Sequence, residues 1–180
     1  MGTVEQLFVA PAGGEPMAEQ QSVELVEGGI VGDRYLQGTG YYAPYDVCEV
    51  TLVEAEAIEA IQEDCGIDLW DGRHRRNIVT RGHELQDLLE TTFRIGGAEL
   101  RGTRPRPPCA HVETVADEEG VASALSGHGG ICARVVSPGT VAVGDAIELT
   151  EADPRTVGAA IAERLGAQSA RESATDSDPN

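Results

Sequence analysis

The chain has 180 residues, enough for one domain with a full-sized core, and no break in composition argues for a second. Its 13 cationic residues are all arginine and face 31 acidic ones, a net charge of −18 that argues against binding nucleic acid or anionic membranes through the general surface. With 41% hydrophobic residues this is not a disordered composition; the acidity reads as a halophilic surface, one built to stay hydrated at high salt.

No apolar stretch approaches the roughly 20 residues that span a bilayer, and the N-terminus lacks a basic-then-apolar signal pattern. The expectation is a cytoplasmic protein. Cys48, Cys65, Cys109 and Cys132 are too widely spaced for a zinc site or a redox dithiol and are read as reduced thiols.

Alternation predicts strands over Val4–Phe8 and Ser22–Val26, the second ending at Glu27-Gly28-Gly29. A loop is expected from Gly32 to Pro44, then a strand over Asp46–Val53. From Glu54 the period lengthens, with Ala57, Ile58 and Ile61 on one face, predicting a helix that Gly66 ends. Short strands follow at Asn77–Thr80, Thr92–Ile95 and Ala98–Arg101, with one helical turn around Leu85, Leu88 and Leu89. Asp117–Leu125 reads as a short helix, and Ile131–Val136, Thr140–Val143 and Ala146–Leu149 as strands between glycine-containing turns. Many short strands and few helices imply a mainly β, β-rich α+β fold: a barrel of mostly antiparallel strands with a few peripheral helices. The barrel domain is expected over 1–150, a C-terminal helix within 151–166 with its core at Arg155–Leu165, and a disordered acidic tail over 167–180.

Charge is unevenly distributed. Residues 73 to 106 hold eight arginines against four acidic residues, whereas the rest of the chain holds five arginines and 27 acidic residues. Cationic charge collected in one stretch of an anionic protein points to a local anion site. Cys109 closes this stretch, in Arg104-Pro105-Arg106-Pro107-Pro108-Cys109. The prolines stiffen the loop, and Arg104, Arg106 and His111 favour the thiolate, which binds soft metals or attacks electrophiles. A lone loop thiol is as often incidental, so both readings stand.

Arg73-His74-Arg75-Arg76-Asn77 leads into a strand, so Arg75 and Asn77, with Arg81, are candidates to converge on phosphate or carboxylate oxygens; the alternative is pairing with surface acids. Ser126-Gly127-His128-Gly129-Gly130 is either a backbone anion nest or an ordinary connection. Asp33 and Arg34, in GGIVGDRY, read as an internal ion pair shaping the pocket. His111 and Glu113 are nearby acid–base candidates.

The ordered set GGIVGDRY (28–35), VTLVEAEAIEAI (50–61), RRNIVTRG (75–82), FRIGGAELRGTRPRPPC (93–109) and GHGGICARVVSPGTVAVGDAIEL (127–149) resembles the MOSC domain, named after the C-terminal part of molybdenum cofactor sulfurases. The resemblance implies a β-barrel with a pocket for the molybdenum cofactor, a phosphate-bearing pterin, and Cys109 as catalytic residue and molybdenum ligand. Arg75, Arg76 and Asn77 match the family's basic stretch, and Arg81, Arg104, Arg106 and Gly129 join them as cofactor-binding candidates.

Single-domain members resemble reductases of N-hydroxylated small molecules such as hydroxylaminopurines and amidoximes. The chain has no Rossmann fingerprint and no iron–sulfur cysteine set, so an external electron-donor protein is expected. The alternative is a non-catalytic cofactor carrier, or a sulfur carrier with a persulfide on Cys109. Covalently bound pyridoxal phosphate is excluded, because without lysine there is no internal Schiff base. Nothing in the sequence argues for a particular oligomeric state.

Overall fold

The computed structural model describes residues 1–41, 48–150 and 165–166. Contacts group Met1–Leu149 into one compact unit and Thr150–Asn180 into a second. Apart from Leu165 and Gly166, which are helical, the expected C-terminal helix and tail lie outside the described residues.

The first unit runs β1 (Gly2–Val9), β2 (Ala18–Gln20), β3 (Ser22–Val26), β4 (Gly29–Ile30), α1 (Arg34–Gln37), β5 (Val50–Glu54), α2 (Ala55–Cys65) and β6 (Ile78–Arg81). A 3-10 turn at Leu85–Leu88 precedes β7 (Thr92–Ile95), β8 (Ala98–Pro105), α3 (Ala110–Ala116), α4 (Val121–Ala124), β9 (Ile131–Ser137), β10 (Gly139–Ala142) and β11 (Ala146–Leu149). Seven strands close in the order β1-β11-β7-β8-β9-β5-β6 and back to β1, with β2 added on the far half of β1. The closing pair joins the two ends of the unit, Gly2 opposite Ile147 and Thr3 opposite Ala146. The β5–β6 pair is parallel, Leu52 opposite Ile78, and α2 lies in the crossover that such a pair requires. The other barrel pairings among the described residues are antiparallel. β10, β3 and β4 form a separate three-stranded sheet.

Alternation along three neighbouring strands builds two cores. Leu7, Leu52 and Ile78 point into the barrel with Leu25, Ile30, Phe93, Ile95, Leu100 and Ile131. Their chain neighbours Phe8, Val53 and Val79 point outward and are covered by Ile58 and Ile61 of α2, Val112 and Ala116 of α3, and Val121 and Leu125 around α4. Helices therefore clothe the barrel where β1, β5 and β6 show an apolar outer face. Gly66 ends α2 in the left-handed conformation (φ 69°), its N–H bonding Gln62 O, as the sequence pattern requires.

Three helices depart from expectation. The predicted Asp117–Leu125 helix is broken, because Asp117 (φ 51°) and Gly120 (φ 92°) both turn left-handed between α3 and α4. α3 begins directly after Cys109, which holds its N-cap position. The expected loop after Gly32 contains α1, capped by the Asp33 carboxylate on Tyr35 N–H and ended by Gly38 at φ 67°.

The loop before β9 offers a controlled test of close packing. Gly127 (φ 79°) and Gly130 (φ 78°) share a backbone conformation, but a Cβ on Gly127 meets nothing within 4 Å whereas one on Gly130 would lie 1.8 Å from Leu52 O. Gly127→Ala is expected to cost about 1 kcal/mol, the left-handed term alone, and Gly130→Ala about 3 kcal/mol or more. Urea unfolding of both variants measures the difference; equal losses would mean that the loop does not pack on β5 as described.

Candidate functional site

A cleft with about 490 Å³ of empty space, part of it open to solvent, lies where α1, the entry to β6, the Pro105–Pro108 segment and the start of α3 meet. Four arginines line it, Arg34, Arg75, Arg76 and Arg106, together with Tyr35, Cys109 and His111. Among the described lining residues there is no carboxylate.

The wall is set by the expected ion pair. Asp33 is fully buried and its Oδ1 accepts from Arg34 Nη1 (3.1 Å), Ala10 N (3.1 Å) and Asn77 Nδ2 (3.0 Å), while Oδ2 accepts from Tyr35 N (3.2 Å). Arg34 then donates from Nη2 to Arg75 O at 2.9 Å. Tyr35 stands between two guanidiniums: Arg106 Nη2 donates to its hydroxyl (3.0 Å), and the Arg34 and Arg106 carbons lie 4.5 and 5.8 Å from its ring centroid. Its only sequence signal is its place after Asp33-Arg34.

Arg75 and Arg76 enter the cleft together, against the alternation expected of them. The reason is backbone: Arg75 is left-handed (φ 65°), which breaks the strand period just before β6. Arg75 turns its guanidinium onto backbone, donating to Glu15 O and to Gly13 O (2.9 Å), so it pins the Gly13–Glu15 segment. Arg76 is almost fully buried; Nε donates to Gly129 O (2.8 Å) and Nη1 to His74 O (2.9 Å), while Nη2, also buried, has no partner among the described residues. Burial first, and then the charge of a neighbouring arginine, pulls Arg75 and Arg76 each down to about 10. Both stay charged at neutral pH, in a crowded site that an anion would relieve.

The remaining candidates divide. Asn77 is buried outside the cleft lining, where its Oδ1 accepts from Thr51 N (3.1 Å) and Thr51 Oγ1 (2.9 Å) and its Nδ2 also donates to Phe8 O (3.2 Å); it joins β1, β5 and Asp33. Arg81 is likewise away from the cleft. It bonds Glu5 through Nε and Glu59 through Nη2, both at 2.7 Å, tying α2 to β1 and β6; those two hydrogen bonds raise its pKa. Arg104 lies on β8 opposite Cys132 and is not among the lining residues.

Two carbonyls of the glycine loop hold the arginines of the cleft. Gly129 O takes Arg76 Nε and Gly130 O takes Arg106 N (2.8 Å). A Cβ on Gly129 would stand 2.0 Å from Arg106 O, so glycine is needed for the approach.

Cys109 is half-buried at the mouth beside Pro107 and His111. His111 Nε2 lies 3.3 Å from Gly13 O, which makes that nitrogen the donor, and its ring stacks on Tyr41 with centroids 3.6 Å apart and planes at 16°. Glu113 faces elsewhere, capping Gly120 N (2.6 Å) beside Asp117, Glu118 and Glu119. Among the described residues no three of His, Cys, Asp and Glu converge as a metal cluster, so a metal at Cys109 would have to bring other ligands with it.

An unpartnered buried guanidinium nitrogen, surrounding arginines and a thiol at the rim suit a ligand with an oxyanion at one end and a soft metal at the other. The residues present thus fit a phosphate-bearing, metal-carrying cofactor.

Comparison with known proteins points the same way for the fold. The YuaD protein from Bacillus subtilis is similar over 82% of this chain and 95% of its own, with TM-score 0.68 and 22% identity. YiiM from Geobacillus stearothermophilus (TM-score 0.63, 16% identity, 84% and 76% of the two chains) and YiiM from Escherichia coli (0.60, 19%, 84% and 71%) are also similar. No curated protein matches the chain. The family model for the MOSC domain matches residues 45–148, from β5 to β11, and with more than half of its length so matched the chain belongs to the MOSC domain family.

Proposed function

We propose that the arginine-lined cleft binds the molybdenum cofactor and that the protein reduces N-hydroxylated compounds with electrons from a separate donor protein. The MOSC family is associated with this cofactor. The observation that carries the reading is the buried, unpartnered Arg76 Nη2 in a cleft that also holds Cys109.

In this reading Arg76 and Arg106 hold the phosphate, and the Cys109 thiolate is the protein's ligand to the metal. When bound, the cofactor supplies the two-electron chemistry that removes oxygen from an N-hydroxylated substrate and leaves the amine or amidine. The chain's own residues bind and orient. Tyr35 stands between Arg34 and Arg106, the Gly129 carbonyl fixes the Arg76 plane, and Pro107 and Val112 add apolar surface to the lining. His111, with Nε2 spent on Gly13 O, frames the mouth. Cys48, Cys65, Cys109 and Cys132 are free thiols, and the setting proposed for the protein is cytoplasmic. Among the described residues no helix is long and apolar enough to cross a membrane.

Protein made in a host that synthesises the cofactor is expected to carry molybdenum in near-stoichiometric amount, and Cys109→Ala to lose at least tenfold. Arg76→Met should lose cofactor similarly, whereas Arg81→Met, altered outside the cleft, should retain it. Metal analysis of the four proteins decides this; equal molybdenum in wild type and Cys109→Ala would remove Cys109 as ligand.

Turnover is tested separately, with a reduced dye and an N-hydroxylated base at high salt. Amine formation that depends on bound molybdenum is the expected result. Cofactor binding without amine would make the protein a carrier, and a persulfide on Cys109 detected by mass would make it a sulfur carrier.

A further inference from the structure

We propose that His74, as a neutral imidazole, is the positioning residue that aims Arg76 into the cleft, so that oxyanion affinity depends on a hydrogen-bond acceptor at position 74. The proposal rests on the reading that the cleft takes a phosphate-bearing ligand.

His74 is fully buried and holds Arg76 at two points. Its Nδ1 accepts the Arg76 backbone N–H at 2.9 Å, and its carbonyl accepts Arg76 Nη1 at 2.9 Å. Residue 74 thus sets where the Arg76 side chain leaves the backbone and how its far end is turned. With Nε on Gly129 O, the planar guanidinium is held along two edges, and the remaining nitrogen, Nη2, is buried with no partner among the described residues in a side chain that lines the cleft.

The arrangement requires one protonation state. Nδ1 must be an acceptor, so the proton sits on Nε2, which is buried without a hydrogen-bond partner; the ring meets Phe8 of β1 edge to face, with centroids 5.4 Å apart. A second proton would turn the acceptor into a donor aimed at an N–H and place a third cation beside Arg75 and Arg76. Burial, then the charges of Arg76 and Arg75, hold His74 down to about 3. The grip on the anion is therefore insensitive to pH across the range where imidazoles ordinarily titrate.

The proposal is tested on the full chain without cofactor, using inorganic phosphate as the probe and calorimetry or thermal shift as the readout. Asparagine places an acceptor near the position of Nδ1 and leucine does not. His74→Asn is expected to bind phosphate within about threefold of wild type and His74→Leu at least tenfold more weakly. Leucine binding like wild type, or asparagine failing as badly as leucine, would overturn the assignment. Arg76→Met separates the layers. If it binds phosphate as wild type does, the anion-hand role of Arg76 falls and takes the His74 proposal with it; if it loses phosphate while His74→Leu does not, only the His74 proposal falls. Phosphate binding that follows this pattern in a protein that never acquires molybdenum would support His74 and sink the cofactor reading alone.

Wild-type protein gives a check that needs no variant. Nitrogen NMR of the labelled histidines should show His74 as the neutral, Nε2-protonated tautomer from pH 8 to pH 5; titration near the ordinary value of about 6.5, or an Nδ1–H tautomer, would refute the proposal. Between those pKa values the unfolded chain binds a proton that the folded chain refuses. The contribution of His74 is thus fully present above about 6.5 and is lost as pH falls toward 3, raising the unfolding constant by about tenfold per pH unit. His74→Asn is expected to lack that component; an unchanged slope would count against a buried neutral His74.

Discussion

A single buried carboxylate organises the site. Asp33 takes donors from the end of β1 through Ala10, from the entry to β6 through Asn77, and from both residues that follow it. A buried charge costs several kcal/mol unless it is paired and its remaining lone pairs are met, and here four donors do so. Without it, the Arg34 guanidinium would sit nearly fully buried with no counterion, and the hydrogen bond from Arg34 to Arg75 O would have nothing behind it. The cationic wall of the cleft thus leans on one anion placed behind it. Asn77 completes the brace by linking Asp33 to Thr51 of β5, so the barrel itself holds the site.

That anion lies behind the arginines and not among them, which keeps the cleft positive inside an acidic protein. The net charge of −18 repels anions at long range. At high salt this field is screened within about 3 Å, so only groups in contact with a ligand matter. Arg76 Nη2, buried with no partner among the described residues, is the group the proposed oxyanion would satisfy.

How much of this could be read from the chain follows from how local each signal is. The limits of β3, β7 and β11 coincide with alternation bounded by glycine turns, and Gly66 ends α2 because both causes lie within a few residues. The Asp33–Arg34 pair and the cationic character of the 73–106 segment were legible for the same reason. The alternation expected to put Arg75 and Asn77 on one side does not hold, because a left-handed arginine carries no compositional mark and brings Arg76 in beside Arg75. Arg81 pairs with acids 22 and 76 residues away, and the partners of Asn77 lie 26, 44 and 69 residues away, so only folding shows that neither lines the cleft. The role of His74 was hidden too, since two hydrogen bonds to the residue two positions on leave no pattern in sequence.

The closing pair of the barrel has a consequence in time. Gly2 and Thr3 pair with Ile147 and Ala146, so one edge of β1 stays open at its start until the last strand of the barrel is made, although Thr3 and Val4 pair on the other edge with Arg81 and Thr80 of β6. Pairings of such sequence separation form late and slowly. The cleft draws its walls from α1, the approach to β6 and the segment before α3, elements that lie between the two strands of the closing pair in the chain. The cylinder that carries them is therefore shut by its two most distant strands, after every nearer pairing is available.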